Sequence, residues 1–179
     1  SPKQVSFVDI PNMQYLMIDG QGNPNDQTTF GAAIETLYGM AYTLKFMLKQ
    51  ASEPFDSVVM PLEALFWAED PTAFAEQRYE EWHWTLLILQ PPRVSPEDFT
   101  HAKQQLAAKK DPASLHLCRL DDYTEGPCAQ IQHLGPYDQE GPTVERLHAA
   151  ILAQGHQLAG KHHEIYLSDP RRTAPEKLK

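Results

Sequence analysis

The sequence predicts an α+β domain on three observations: one long amphipathic helix, several short apolar runs broken by Gly and Pro, and an order of elements that occurs twice along the chain. The helix is the clearest of these. Phe30, Ile34, Leu37, Ala41, Leu44 and Leu48 follow one another at alternating steps of four and three residues, which draws a single apolar stripe. Asn25 or Asp26 can cap its first turn, and Pro54 lies beyond its end.

The strands follow from shorter runs. Residues 7–10 and 15–19 read as strands parted by Pro11 and Asn12, and the second runs into Gly20-Gln21-Gly22-Asn23-Pro24-Asn25, a cluster of turn formers. Residues 58–67 and 81–90 are expected as two more strands, with an acidic loop through Glu69, Asp70 and Pro71 between them. Ser95-Pro96-Glu97-Asp98 opens a helix, with Ser at the cap, Pro at the first helical position and an acid at the third. That helix buries Phe99, Ala102 and Leu106 and stops before Asp111 and Pro112. Residues 115–120 and 127–134 look extended, and Gly135-Pro136-Tyr137 breaks the chain. Val144, Leu147, Ile151 and Leu152 mark a helix that Gly155 ends, and residues 162–168 form a strand closed by Asp169 and Pro170.

Length and charge narrow the function. A chain of 179 residues suits one domain with a full core. The net charge is −9 and the basic residues are scattered, the densest group being Arg171, Arg172, Lys177 and Lys179, so no direct nucleic-acid partner is expected. No apolar run approaches the roughly 20 residues that span a bilayer, and no basic stretch followed by an apolar core marks a signal peptide. No membrane role is expected. Two cysteines, Cys118 and Cys128, make no disulfide framework and point to a reducing cytoplasm. The histidines include the pair His162-His163, but no HExxH or Cys-x-x-Cys spacing occurs. Adjacent strand residues face opposite ways, so that pair cannot chelate one ion, and neither a metal nor a cofactor is expected. No Ser–His–Asp or Cys–His arrangement is visible, which leaves covalent catalysis without support, and nothing sets an oligomeric state.

The internal echo gives two halves, roughly 1–92 and 93–179, each running strand, Gly-containing turn, helix, strand. The first turn is Ile18-Asp19-Gly20 and the second His133-Leu134-Gly135. After the helices, residues 61–67 and 162–167 correspond, each with one carboxylate inside an otherwise apolar run. Strand alternation places Met60, Leu62, Ala64 and Phe66 toward the helices and Val59, Glu63, Leu65 and Trp67 on the other face. Ile165 and Leu167 are expected to pack inward, putting Glu164 and Tyr166 together opposite them, while Trp82, Trp84 and Leu86 share a face. If these faces meet, they line a cleft with Trp, Tyr and two carboxylates, the composition of a small-molecule site. Each residue also has a plainer reading: a strand Trp as core, a mid-strand Glu at an edge, and Tyr38 and Tyr42 as ordinary helix packing one turn apart.

Several segments together resemble the GyrI-like small-molecule-binding domains, in particular those that stand alone without a DNA-binding segment. They are Tyr15-Leu16-Met17-Ile18-Asp19-Gly20-Gln21-Gly22-Asn23-Pro24, the stretch YGMAYTLKFMLK at 38–49, Val59-Met60-Pro61-Leu62-Glu63, Leu134-Gly135-Pro136-Tyr137, and His163-Glu164-Ile165-Tyr166-Leu167-Ser168-Asp169-Pro170. The resemblance implies one domain over 1–179, built of two strand-helix-strand-strand (SHS2-type) modules related by a pseudo-twofold axis, with a central ligand cleft. It also implies a buried glutamate in that cleft, matched here by Glu164. Relatives include drug-sensing modules that meet cationic aromatic ligands and stand-alone proteins that hydrolyse cyclopropane-containing DNA-alkylating compounds. Similar proteins continue past a Glu-Lys-Leu-Lys segment into a final strand, which does not occur within these 179 residues.

Three functions follow as expectations, the first two with a small organic ligand as partner. In a hydrolase, Glu164 orients a water while Tyr137 or Tyr166 supports the oxygen that gains charge. In a sensor or sequestering module, Tyr38, Tyr42, Glu63, Trp67, Trp82, Trp84 and Tyr166 hold a flat or cationic compound without chemistry. A protein-interaction role resembling gyrase inhibition ranks last, because no partner-binding motif is present.

Overall fold

Gly and Pro cut the sequence into short apolar runs, and in the computed structural model, which describes residues 4–179, those runs form seven strands in two sheets with four α-helices. In chain order the strands are β1 (Ser6–Ile10), β2 (Met13–Gln21), β3 (Leu62–Trp67), β4 (His83–Leu89), β5 (Arg119–Tyr123), β6 (Gly126–Gln130) and β7 (His162–Tyr166). The helices are α1 (Ala32–Lys49), α2 (Thr72–Ala75), α3 (Pro96–Lys109) and α4 (Gly141–Ala153). The expected α+β class is therefore the observed one. Contacts divide the chain into two units that no single cut in the sequence separates. The larger is Met13–Tyr123 with Lys161–Ile165; the smaller takes the chain up to Asn12, Thr124–Gly160 and Tyr166–Lys179.

The larger unit is a five-stranded sheet in the order β5-β2-β4-β3-β7, antiparallel at β2–β4, β2–β5 and β3–β4. Register sorts its side chains into two sets. Leu16, Ile88 and Leu62 align across three strands, as do Ile18, Leu86 and Ala64, and Gly20, Trp84 and Phe66. These make the helix-facing side, and Leu16, Ile18, Leu86 and Ile88 there have no solvent exposure. Helix α1 packs on β2, β4 and α3, burying Leu37, Met40 and Leu44. Its apolar stripe begins one turn earlier in a π-helical segment, Gln27–Gly31, where Asp26 accepts from the Thr28 amide. Phe30 in that segment stacks on Phe66 and meets Trp84 edge-on. Met17, Leu87 and Glu63, then Asp19, Thr85 and Leu65, then Gln21, His83 and Trp67, align on the opposite side.

In the smaller unit β1 pairs antiparallel with β6, α4 packs on β6, and Phe7 meets His156. The last residues are tied in: Gly135 N donates to Leu178 O, and Leu167 N donates to Lys179 O.

Five expected strands are shorter or shifted, the last of them ending at Tyr166 rather than at Ser168. Residues 58–61 stay outside β3, because Pro61 lacks a donor for the ladder, and Val58 is 76% exposed. Glu81 closes a 3-10 turn (Tyr79–Glu81), so β4 starts at His83. Residues 115–117 form a 3-10 turn instead of a strand, with Leu115 N donating to Pro112 O, and β5 begins only at Arg119. Only residues 127–130 of the run to 134 pair, in β6.

Close contacts at Gly20 and at the start of α3 set the stability of three variants. A Cβ on Gly20 would lie 2.2 Å from the Trp84 ring, which Phe30 holds in place, so Gly20→Ala should destabilise by about 1–3 kcal/mol. A chemical-denaturation midpoint unchanged from wild type would refute this. At the start of α3, Ser95 accepts from the Asp98 amide while Asp98 accepts from the Ser95 amide and hydroxyl. Ser95→Ala should cost about 1 kcal/mol. The Ser95 amide and then its hydroxyl hold Asp98 below its ordinary value of 3.8. Its contribution is thus full above that range and lost as pH falls through the lower native value. Asp98→Asn should remove this acid-side loss in a pH series of melts.

Candidate functional site

Strand β7 ends the five-strand order, and its successive side chains alternate between the two faces of the sheet. His163 Nε2 lies 2.9 Å from Glu63 Oε2, and His162 Nε2 lies 3.2 Å from Glu164 Oε1. The adjacent histidines thus each take a different carboxylate, on opposite sides. Glu63 and Glu164, expected on two faces that meet across a cleft, therefore lie on opposite sides of this sheet. Their surroundings differ as well: the Glu63 side chain is 9% exposed and that of Glu164 is 21%. Ile165 falls on the His163 side, yet it is 46% exposed and Leu167 is also open, contrary to the inward packing expected. An edge strand has a neighbour on one flank only, which leaves such positions uncovered.

On the Glu63 side, Tyr15, Met17, Leu65 and Leu87 form a buried floor, with Met13, Trp67, Leu89 and Tyr123 packed against it. Trp67 stacks on His83 at 5.6 Å, and the Lys161 ammonium sits 3.4 Å from the centre of its ring. Asp19 accepts from Thr85 Oγ1 at 2.7 Å and pairs with Arg119 at 2.8 Å. Burial lowers the Lys161 pKa, Asp19 opposes that shift and Arg119 adds to it.

Glu164 points to the side that carries α1. There Tyr38, Tyr42 and Phe46, one helical turn apart, form a ladder of rings at 6.5 and 6.3 Å, with Tyr42 and Phe46 about half exposed. Trp84 is core on this same side, buried between Phe30 and Gly20. Its indole nitrogen has no hydrogen-bond partner among the described residues. Trp82 lies just before β4; its Nε1 donates to Ala73 O, and its ring packs on Phe66, Phe74 and Tyr79. Of the three tryptophans, only Trp67 is on the Glu63 side.

In the smaller unit, Gly135 takes a φ of +130°, a conformation open to glycine, and the chain turns there into Tyr137. His133 steadies the turn, with Nε2 on Pro136 O and Nδ1 on Thr143 Oγ1, both at 3.0 Å. Tyr137 donates to Ser168 O at 3.1 Å and its ring leans on Tyr166 at 5.5 Å.

Chemically, these groups supply carboxylates, imidazoles and phenols, the parts of general acid–base chemistry. The cysteines are unsuited as nucleophiles: burial pushes Cys118 up to about 12 and raises Cys128 as well. Sequence reasoning passed over His162, His163, Lys161 and Arg119 as site residues. The adjacent histidines, read together with strand alternation, were the available signal for the first two.

No helix among the described residues is long and apolar enough to cross a membrane. Residues 3–179 match the GyrI-like small molecule binding domain family. A Listeria innocua crystal structure, of a protein described as uncharacterized and conserved, is 35% identical with a TM-score of 0.88, covering 99% of this chain and 90% of that one. Two more Listeria innocua crystal structures, both described as hydrolases and one as encoded by lin2189, are 33% and 34% identical. Their TM-scores are 0.82 and 0.84, and each match covers 99% of this chain and 89% of the other. No curated protein matches. The family match spans nearly the whole chain, so the protein belongs to the GyrI-like small-molecule-binding domains.

Proposed function

We propose that the protein binds flat aromatic small molecules and hydrolyses electrophilic ones, with cyclopropane-containing DNA-alkylating compounds as the substrate class. The observation that carries this reading is Glu164: a carboxylate still partly open to solvent, with an imidazole 3.2 Å away to orient it. Glu63 is a poorer candidate, being nearly closed off and engaged by His163. The hydrolase descriptions of two relatives about one-third identical support the same class of reaction.

In the proposed reaction Glu164 takes a proton from water as its oxygen bonds to a cyclopropane carbon. The ring C–C bond breaks, and its electron pair moves into a conjugated carbonyl, whose oxygen gains charge. The proton held by Glu164 then returns to the opened product, so that the net change is addition of water. Tyr42, exposed on α1, is the proposed stacking surface, with Tyr38 behind it in the ladder.

The test is a mass-spectrometric time course with a cyclopropane-containing alkylator in large excess over protein. Product heavier by one water should accumulate well beyond one equivalent. Glu164→Gln should lower kcat at least about 100-fold while binding stays near wild type. His162→Gln, which alters only the orienting group, should cost less. Stoichiometric protection without turnover would make the protein a sequestering module, and unchanged turnover in Glu164→Gln would remove Glu164 from the mechanism.

A further inference from the structure

We propose that Trp67, His83 and Lys161 form a subsite for an aromatic carboxylate, with Lys161 selecting anionic over cationic ligands. The three side chains come from neighbouring positions across the sheet. Trp67 ends β3, His83 stacks on it from β4 at 5.6 Å, and Lys161, just ahead of β7, lays its ammonium 3.4 Å from the indole centre.

The acids at this corner are already engaged. Asp19 is the nearest acid acting on Lys161, but it already pairs with Arg119 at 2.8 Å and accepts from Thr85. Glu63, on the same side, is held by His163 at 2.9 Å. Lys161 makes no ion pair among the described residues and rests on an aromatic face instead. Its ammonium, partly desolvated on the indole, feels only an Asp19 already engaged by Arg119, so an arriving carboxylate would add a counter-charge. Access is not a barrier: Lys161 is exposed, Trp67 and His83 are half-buried, and the Asp19 side chain is 56% exposed.

A cationic ligand faces the reverse situation. The indole face that would attract it is taken by Lys161, so it would have to displace that contact and then tolerate the displaced charge. A planar anion instead leaves Lys161 on the indole and gains a charge-assisted hydrogen bond to its ammonium beside the Trp67–His83 pair. This inference rests on the small-molecule reading above but not on hydrolysis.

Two probes of similar shape and opposite charge test it, naphthoate and naphthylmethylammonium, titrated calorimetrically into the full chain. Wild type should bind naphthoate at least about fivefold tighter than the amine, the scale of one partly exposed charge pair. Lys161→Met should abolish that preference, whereas Lys109→Met on α3, which changes net charge equally, should keep it. Trp67→Leu should weaken both probes if the fold survives; Lys161→Met carries the test if it does not. Equal affinities in wild type, a preference persisting in Lys161→Met, or no binding of either probe would overturn the subsite. Failure to bind either probe in a protein that still opens cyclopropanes removes this inference alone. Intact naphthoate selectivity without turnover removes hydrolysis alone.

Discussion

The Glu63–His163 hydrogen bond joins two strands whose residues lie a hundred positions apart, and it fixes what every other group on β7 can do. Both partners are largely out of solvent, where an unpaired carboxylate is costly and loss of one partner of such a pair typically costs about 3–5 kcal/mol. Edge strands are the elements most free to slip, and a slip of one residue would turn every β7 side chain to the other face. A carboxylate on β3 that accepts only one of two adjacent histidines specifies the register. With His163 committed to Glu63, His162 and Glu164 have to face the α1 side, and Lys161 has to fall beside Trp67.

This constraint sorts the chemistry. On one side of β7 the carboxylate is nearly closed off and sits at the edge of an apolar floor. On the other it keeps some exposure, which a group that exchanges protons with a bound water requires. One strand therefore takes part in a carboxylate–imidazole pair that ties it to β3 and in a second, more open pair, the one proposed for reaction. The difference between them comes from exposure rather than residue type.

Much of this was legible in advance. The stripe from Phe30 to Leu48, the capping box at Ser95 and the alternation of Leu62, Ala64 and Phe66 are local signals, and each appears in the structure where the residues place it. Alternation also separated His162 from His163. What alternation cannot supply is the neighbour. That His163 meets Glu63, or that Lys161 covers Trp67, depends on which strand lies beside β7, a long-range choice with no local trace. The same limit placed Ile165 inside, since an apolar residue on an edge strand reads like one on a central strand. Leu115 and Leu117 misled differently: their spacing of two fits a strand, but Pro112 three residues before Leu115 starts a 3-10 turn.

The charge pattern bears on the kind of ligand. An acidic chain with glutamates and aromatic rings in its strands suggests a trap for cations. Yet four groups of the larger unit that would attract a cation already have a basic partner: Glu63 has His163, Glu164 has His162, Asp19 has Arg119, and the face of Trp67 has Lys161. A cation entering here competes with groups tethered to the chain, whose effective concentration no free ligand readily matches. A neutral electrophile meets no such competitor, and an aromatic anion meets a cation that lacks a counter-charge. The proposed ligands are accordingly recognised by shape and stacking, with charge read at Lys161 rather than at the glutamates.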